Sequence, residues 1–327
     1  MNLMYGRRDP KRAPSLKFKS ILKALPSHPV SEDYLVKLSN WQMLGNDQYG
    51  DCCAVAWANF RRFTSALLGK EYYPTQEQVY QIYKTQNPDF PNQDDGMDEQ
   101  TMLEYLSKNA GPDGTKLVAF ASVDVTNLDE VKAALYIFGG LLLGIEVQNS
   151  NQTDFSNDVP WDYHADGTVE GGHAVLAGGY LGKATKDVTF ITWAAETSMT
   201  DSFWKNLVAS SNTGEAWVLI WPENLGTTQF VEGIDMNALA ADYLALTGRT
   251  LPVPAPAPVP TPPTPAPVPV PPTPSPVPTP PAPTPVPPTP GPLPPAPIPT
   301  PIPTPPSSEF IKWLEDLFAW ILAILKG

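Results

Sequence analysis

Residues 45–56 read GNDQYGDCCAVA, and this stretch places a cysteine at the start of a predicted helix. The apolar pattern continues to a glycine at position 69, which is typical of a helix end, so we predict a long and largely buried helix over residues 52–68. The partial positive charge at a helix N-terminus stabilises a thiolate. Cys52 is therefore a candidate nucleophile, with inert packing as the alternative, whereas Cys53 is expected to point into the helix packing.

A second motif, GGHAVLAGGY at residues 171–180, places a histidine after two glycines at the mouth of an apolar strand. His173 can reach a distant cysteine as a general base and form a thiolate–imidazolium pair, and a purely structural histidine is the alternative. A cysteine followed at wide separation by a histidine is the order recorded for papain-like enzymes.

Apolar periodicity predicts helices in the first half of the chain and mainly strands in the second half. This order favours an α+β fold with a helical lobe and an antiparallel sheet lobe. The predicted helices cover residues 16–25, 52–68, 75–86, 99–109, 128–138 and 204–209. The predicted strands cover residues 116–121, 141–147, 169–180, 188–193 and 216–222.

The charge pattern separates a basic N-terminal extension, residues 1–40, from an acidic remainder. The net charge of the whole chain is −13, which argues against a nucleic-acid partner. The extension is expected to be solvated or packed on the surface, with docking to an acidic partner as the alternative. With adjacent cysteines that cannot form an unstrained disulfide and no apolar leader, we expect synthesis in a reducing cytoplasm without a signal peptide.

Several stretches resemble papain-like cysteine peptidases, and more closely a bacterial and phage branch of that clan. They are MLGNDQYGDC, DDGMDEQTMLEYL, NLDEVKAALYIFGGLLLGIEV, GGHAVLAGGY and TWAAETSMTDSFW, and the similarity covers roughly residues 41–222. The resemblance implies a papain-like two-lobe domain over residues 41–249, with Cys52 as nucleophile and His173 as general base. No cofactor or metal is expected.

The resemblance also implies an oxyanion hole, in which Asn46 takes the place of the family's glutamine six residues before the nucleophile. Asparagine is shorter by one methylene, and Gln48 is the substitute if the loop is wound differently. Together with Gln48, three further positions are candidate binding residues: Gly50, Thr192 and Trp193.

Two departures from the family pattern bear on activity. The asparagine that orients the family's histidine is matched here by Ile191, which cannot hydrogen-bond, so Thr192 or Glu196 would have to replace it after a change of register. Only 51 residues precede Cys52, fewer than in long inhibitory prosegments. We therefore expect any activity to be present from synthesis or controlled by location.

Beyond the globular domain lie a proline-rich linker, residues 250–306, and a short amphipathic helix, residues 307–327. The chain has 41 prolines, of which 31 lie within residues 252–306, a composition that predicts an extended polyproline spacer, with a ligand for proline-binding modules as the alternative. The final segment places apolar side chains at helical spacing, and we expect this face to anchor the helix on itself or on another protein. A membrane surface and the globular domain of the same chain are the alternatives. These anchor residues are Phe310, Trp313, Leu314, Leu317, Trp320, Ile321 and Ile324.

Two functional hypotheses follow from these features. The first is a cysteine peptidase or amide hydrolase that acts on a peptide-like substrate and is displayed on a stalk, with a phage virion as the assembly. The second is an inactive domain of the same fold, which serves as a structural or attachment protein and binds a protein partner.

Overall fold

The computed structural model describes residues 3–247 except 15, 23, 26, 68, 212 and 227–233, together with residue 250. The predicted spacer and the predicted anchoring helix therefore lie outside the described residues, apart from the first position of the spacer. Within the described part of the chain, no helix is both long enough and apolar enough to cross a membrane.

The helices of the described residues are concentrated in the first half of the chain, as the sequence predicts. Their bounds are α1 Phe18–Ile21, α2 Cys52–Leu67, α3 Gln76–Tyr83, α4 Glu99–Lys108, α5 Leu128–Phe138, α6 Asn149–Ser156, α7 Asp201–Phe203 and α8 Met236–Thr247. A π-helical turn, Trp204–Ala209, follows α7, and 3-10 turns occupy Leu35–Lys37 and Pro222–Gly226. Side-chain caps begin several of these helices; Asp98, for example, accepts a hydrogen bond from the Thr101 N–H at the start of α4.

The described strands form one antiparallel sheet. They are β1 Glu32–Asp33, β2 Ala119–Val123, β3 Leu141–Gln148, β4 Val169–Tyr180, β5 Val188–Thr192, β6 Ala195–Ser198 and β7 Glu215–Ile220. Their order across the sheet is β2-β7-β3-β4-β5-β6, and β1 pairs with the end of β4. The combination of helices with an antiparallel sheet confirms the predicted α+β class.

Side chains of the central strands alternate between two hydrophobic cores, one on each face of the sheet. Leu142, Leu176 and Ile191 join the core that contains α2, α3 and α4, called the helix-side core. Their strand neighbours, such as Leu143 and Val175, join the opposite core, which contains α5. This alternation follows from the period of two in a β-strand, and it decides which side chains of β4 and β5 lie on the same face of the sheet.

Helix α2 crosses the helix-side core, and every residue from Cys52 to Ser65 is buried. Two arginines in this buried stretch form ion pairs with acidic side chains: Arg61 with Asp113, and Arg62 with Glu71. The dense burial fixes the position of the helix start, which carries Cys52.

The N-terminal extension is integrated into this domain rather than solvated along its length. Phe18, Ile21 and Leu35 have no exposed surface, and β1 adds a short strand beside Gly179 and Tyr180. Only a small part of the predicted 16–25 helix forms, namely α1. Helix α6, strand β6 and helix α8 were not predicted from the sequence.

Candidate active site

Cys52 is the first residue of α2, where the helix dipole favours a negative charge. Burial alone would hold the pKa of Cys52 above its ordinary value. Hydrogen bonding from Cys53 and His173, and the charge of His173, outweigh that effect and lower the pKa of Cys52 well below the usual range. In contrast, burial and the neighbouring Cys52 raise the pKa of Cys53. The two adjacent thiols are therefore chemically distinct, and Cys52 is the one that ionises more readily.

His173 lies on β4 opposite Ile145 and is almost completely buried. Its Nε2 atom lies 2.8 Å from the Thr192 hydroxyl oxygen. Its Nδ1 atom has no other hydrogen-bond partner among the described residues, so this is the nitrogen that interacts with the Cys52 thiol. The structure thus brings together the cysteine and the histidine, which are far apart in the sequence.

Thr192, and not Ile191, meets the histidine ring. Ile191 pairs with Leu176 and points into the helix-side core, whereas the next residue of β5 lies on the opposite face of the strand, with His173. Glu196, the other candidate partner, is exposed. A hydroxyl therefore occupies the orienting position that the resemblance assigns to asparagine.

Trp193 covers the other side of the histidine ring. The ring centroids lie 4.8 Å apart in a stacked arrangement. Trp193 and Ala194 form the two-residue turn between β5 and β6, with φ angles of 42° and 64°. Positive φ at both positions is uncommon outside glycine, asparagine and aspartate, and such backbone strain is often found at functional sites.

The remaining predicted site residues lie in the loop before α2. Asn46 is buried, and its side-chain amide donates to the carbonyl oxygens of Tyr49 at 3.2 Å and Met4 at 3.4 Å. Gln48 is exposed. Gly50 is buried, and its N–H donates to the Asp94 carboxylate at 3.0 Å.

Asp51, immediately before Cys52, is a neutral neighbour. Burial, with the negative charge of Cys52 as a smaller contribution, raises the pKa of Asp51 to about 9. The carboxyl group is therefore protonated near neutral pH and adds no negative charge beside Cys52.

The first described residues, 3–8, run across this site and are called the arm. The Gly6 carbonyl accepts from the Met97 N–H at 2.7 Å, and the Arg7 N–H donates to the Gly172 carbonyl at 3.0 Å. Tyr5 packs edge-on against His173, with 5.9 Å between the ring centroids. The arm thus makes backbone contacts on both walls of the groove that contains the dyad, and Cys52 is left 1% exposed.

This position of the arm differs from two expectations of the sequence analysis. The basic extension was expected to be solvated or surface-packed, yet Arg7 is 4% exposed. The chain was also expected to lack a segment that restricts the site, yet the arm covers it. In the sequence, only the contrast between the basic extension and the acidic remainder hints that the arm binds the domain. Its contacts with Met97 and Gly172 are made by backbone atoms, which produce no recognisable sequence motif.

No family model matches this chain, and no curated protein sequence matches it. Among solved structures, similarity is found to xylellain, a cysteine protease from Xylella fastidiosa, at 16% identity over 67% of this chain and 96% of that one, with a TM-score of 0.49. A procathepsin B from Trypanosoma congolense matches at 14% identity over 67% of this chain and 86% of its own, with a TM-score of 0.45. The ragweed cysteine protease Amb a 11, in its proform, matches at 15% identity over 62% and 68% of the two chains, with a TM-score of 0.48.

Proposed function

We propose that this chain is a papain-like cysteine peptidase or amide hydrolase that acts through Cys52 and His173. The observation that carries the proposal is the site geometry: a low-pKa thiol at a helix N-terminus and a histidine whose other nitrogen is held by Thr192. A thiolate–imidazolium pair is the form in which a cysteine attacks carbonyl carbon near neutral pH.

In the proposed reaction, the Cys52 thiolate attacks the carbonyl carbon of an amide and forms a tetrahedral intermediate. The backbone N–H of Cys52 and the side-chain amide of Asn46 would donate to its oxyanion. His173 then gives its proton to the leaving amine as the C–N bond breaks, which produces a thioester. Water, deprotonated by His173, hydrolyses the thioester and regenerates the thiolate.

The arm marks the path of a substrate and blocks it. The Asn46 amide now donates to the carbonyl of Met4, a contact that a substrate carbonyl would take when the arm leaves. Catalysis therefore requires displacement of residues 3–8, and the structure corresponds to a closed state of the proposed enzyme.

The function is tested by alkylation kinetics and by cleavage of a peptide and peptidoglycan panel. We expect Cys52 to react much faster than Cys53 near pH 7, and His173→Ala to abolish that difference. His164→Ala is the matched control, because His164 pairs with Asp154 outside the site. Equally slow labelling of both cysteines would contradict a thiolate site, and cleavage that persists in Cys52→Ser would exclude this mechanism.

An inactive papain-like domain is the second candidate, used as a displayed structural or attachment protein of a virion or another assembly. The observation that favours it is the near-complete burial of Cys52, together with the contacts of the arm with His173 and Asn46 beside it. Cleavage of any panel substrate that is lost in Cys52→Ser would rule this candidate out as a complete account.

We further propose that residues 250–306 act as a stalk and residues 307–327 as a docking helix, with cytoplasmic synthesis and incorporation into a phage virion. The support is compositional: a proline-dense segment followed by an apolar helical face. Deletion of residues 308–327 is expected to leave a folded head that no longer self-associates or attaches, as measured by light scattering. If the deletion leaves both the mass of the assembly and its attachment unchanged, the anchoring role is contradicted. If the deletion abolishes only the binding to lipid vesicles, the helix docks on a membrane surface instead.

A further inference from the structure

The side chain of Arg7 fills a closed acidic pocket beside the dyad. Its side chain has no exposed surface, and its Nη1 atom lies 3.1 Å from the Glu215 carboxylate. The Nη2 atom donates to the carbonyl oxygen of Thr213 at 2.5 Å. A guanidinium in this position is thus held by one charge and by one directed backbone acceptor.

The sheet provides the space for this guanidinium at Gly144, in the middle of the apolar strand β3. A Cβ atom at Gly144 would lie 2.7–2.9 Å from the Arg7 side chain, closer than real Cβ contacts allow. Gly144 pairs directly with Glu215 across β3 and β7. The glycine and the carboxylate therefore form one cavity, matched in shape and charge to a long cationic side chain.

A second carboxyl, Glu99 at the start of α4, is completely buried near Glu215. Burial, followed by the charge of Glu215, raises the pKa of Glu99 well above its usual range. Burial also raises the pKa of Glu215, although the charge of Arg7 and the hydrogen bond with Glu99 oppose that rise. Of the two carboxyl groups, Glu215 is the ion-pair partner of the guanidinium. With Arg7 withdrawn, a buried negative charge would be left without a partner, which is costly.

The residue that fills the pocket is held by its backbone in a way that any extended peptide can reproduce. The N–H of Arg7 donates to the carbonyl of Gly172, which directly precedes His173, and the N–H of Arg8 donates to the carbonyl of Met97 at 2.7 Å. Backbone bonds of this kind do not depend on sequence, so the side-chain pocket decides which peptide is preferred.

We infer that the Gly144–Glu215 pocket is the specificity pocket of the site and selects peptides with an arginine or lysine side chain, and that Arg7 occupies it as a stand-in for that side chain. This inference rests on the proposed function for its role in turnover, while the pocket itself can be tested by binding. The substrate class is therefore basic peptides rather than apolar or acidic ones.

The test uses the full chain with Gly6→Ala and Arg7→Ala, which withdraws the arm and empties the pocket. The probes are the peptide LMYGRRDP and the same peptide with citrulline, the neutral analogue of arginine, at the position of Arg7. Binding is measured by calorimetry. Because the charged hydrogen bonds are lost, we expect the citrulline peptide to bind about 10- to 100-fold more weakly. Adding Glu215→Gln should remove the difference, with thermal melting as the check on folding.

The outcomes separate this inference from the proposed function. A preference for the arginine peptide without cleavage of any substrate would support the pocket and contradict the peptidase. Equal affinity for the two peptides, or no binding of either, would overturn the pocket even if the enzyme cleaved other substrates. Gly144→Ala serves as a second variant without a change in charge, and it should weaken binding of the arginine peptide by closing the cavity.

Discussion

Replacement of Gly6 by alanine should open the site, because the arm approaches the opposite wall through its backbone at this residue. A Cβ atom on Gly6 would lie 1.9 Å from the carbonyl oxygen of Gly50. The atom in conflict belongs to the backbone, so rotation of a side chain cannot relieve the overlap, and the closed position of the arm is destabilised.

The size of the effect follows from the bonds that hold the arm. The Met97 N–H donates to Gly6 and the Arg8 N–H donates to Met97, both at 2.7 Å, and two longer bonds of 3.0 and 3.3 Å join the arm to Gly172. Each such bond contributes about 0.5–1.5 kcal/mol net. The loss of the two bonds that Gly6 itself makes, with Met97 and with Gly172, therefore costs about 2 kcal/mol. At 1.4 kcal/mol for each factor of ten, the open population rises about 30-fold.

The assay is the rate at which iodoacetamide labels Cys52 at pH 7, located by mass spectrometry. If opening is fast compared with labelling, the rate is proportional to the open population and should rise by the same factor of about 30. Gly114→Ala is the control for general destabilisation, since its φ of 77° strains an alanine, yet Gly114 has nothing within 4 Å of its Cβ position and lies outside the arm. Equal labelling rates in Gly6→Ala and the unaltered chain would refute the idea that the arm protects Cys52.

Three further variants test the site. Thr192→Val keeps the shape but loses the hydroxyl, so we expect labelling of Cys52 to slow about 3- to 10-fold and its apparent thiol pKa to rise, with recovery in Thr192→Ser; an unchanged pH profile would contradict an orienting role. Ile191→Asn buries an amide in the helix-side core and should lower the free energy of unfolding by about 2–4 kcal/mol without any gain in activity; a more active variant in cleavage assays would show that the register is wrong. Asp51→Asn should leave stability unchanged below pH 4 and become progressively more stable than the unaltered chain as the pH rises toward 9. The folded-state pKa of Asp51, about 9, is above the unfolded value of 3.8, so the unaltered chain loses about 1.4 kcal/mol of stability for each pH unit in that window; parallel stability curves in denaturant titrations would count against this shift.

Sequence periodicity located the elements with strong apolar patterns. Strand β4 and helix α5 have the predicted bounds, and α2 agrees with its prediction through Leu67, with the predicted last position, 68, outside the described residues. These elements are long, and their pattern is dictated by the faces that they bury. Helix α6, with the polar sequence NSNQTDFS, has no apolar stripe, so its capping and its place after β3 depend on contacts from elsewhere in the fold.

The chemistry of the site divides in the same way. Local sequence predicts the position of Cys52 at a helix start and of His173 on a strand, because helix ends and strand patterns depend on residues that are close in the sequence. The partner of His173 cannot be predicted from local sequence, because the pairing of β5 with β4 places Ile191 in the helix-side core and Thr192 beside the histidine. A shift of one residue exchanges the faces of a strand, and only tertiary pairing fixes that register.

The arm and its pocket were decided entirely by tertiary structure. Arg7 lies in a basic stretch that composition alone assigns to solvent, and the partner that buries it, Glu215, is 208 residues away. A buried ion pair needs both charges in one cavity, and the cavity exists because Gly144 leaves room between two strands. The sequence by itself determined which groups are capable of chemistry, and the fold determined which of them meet and what covers them.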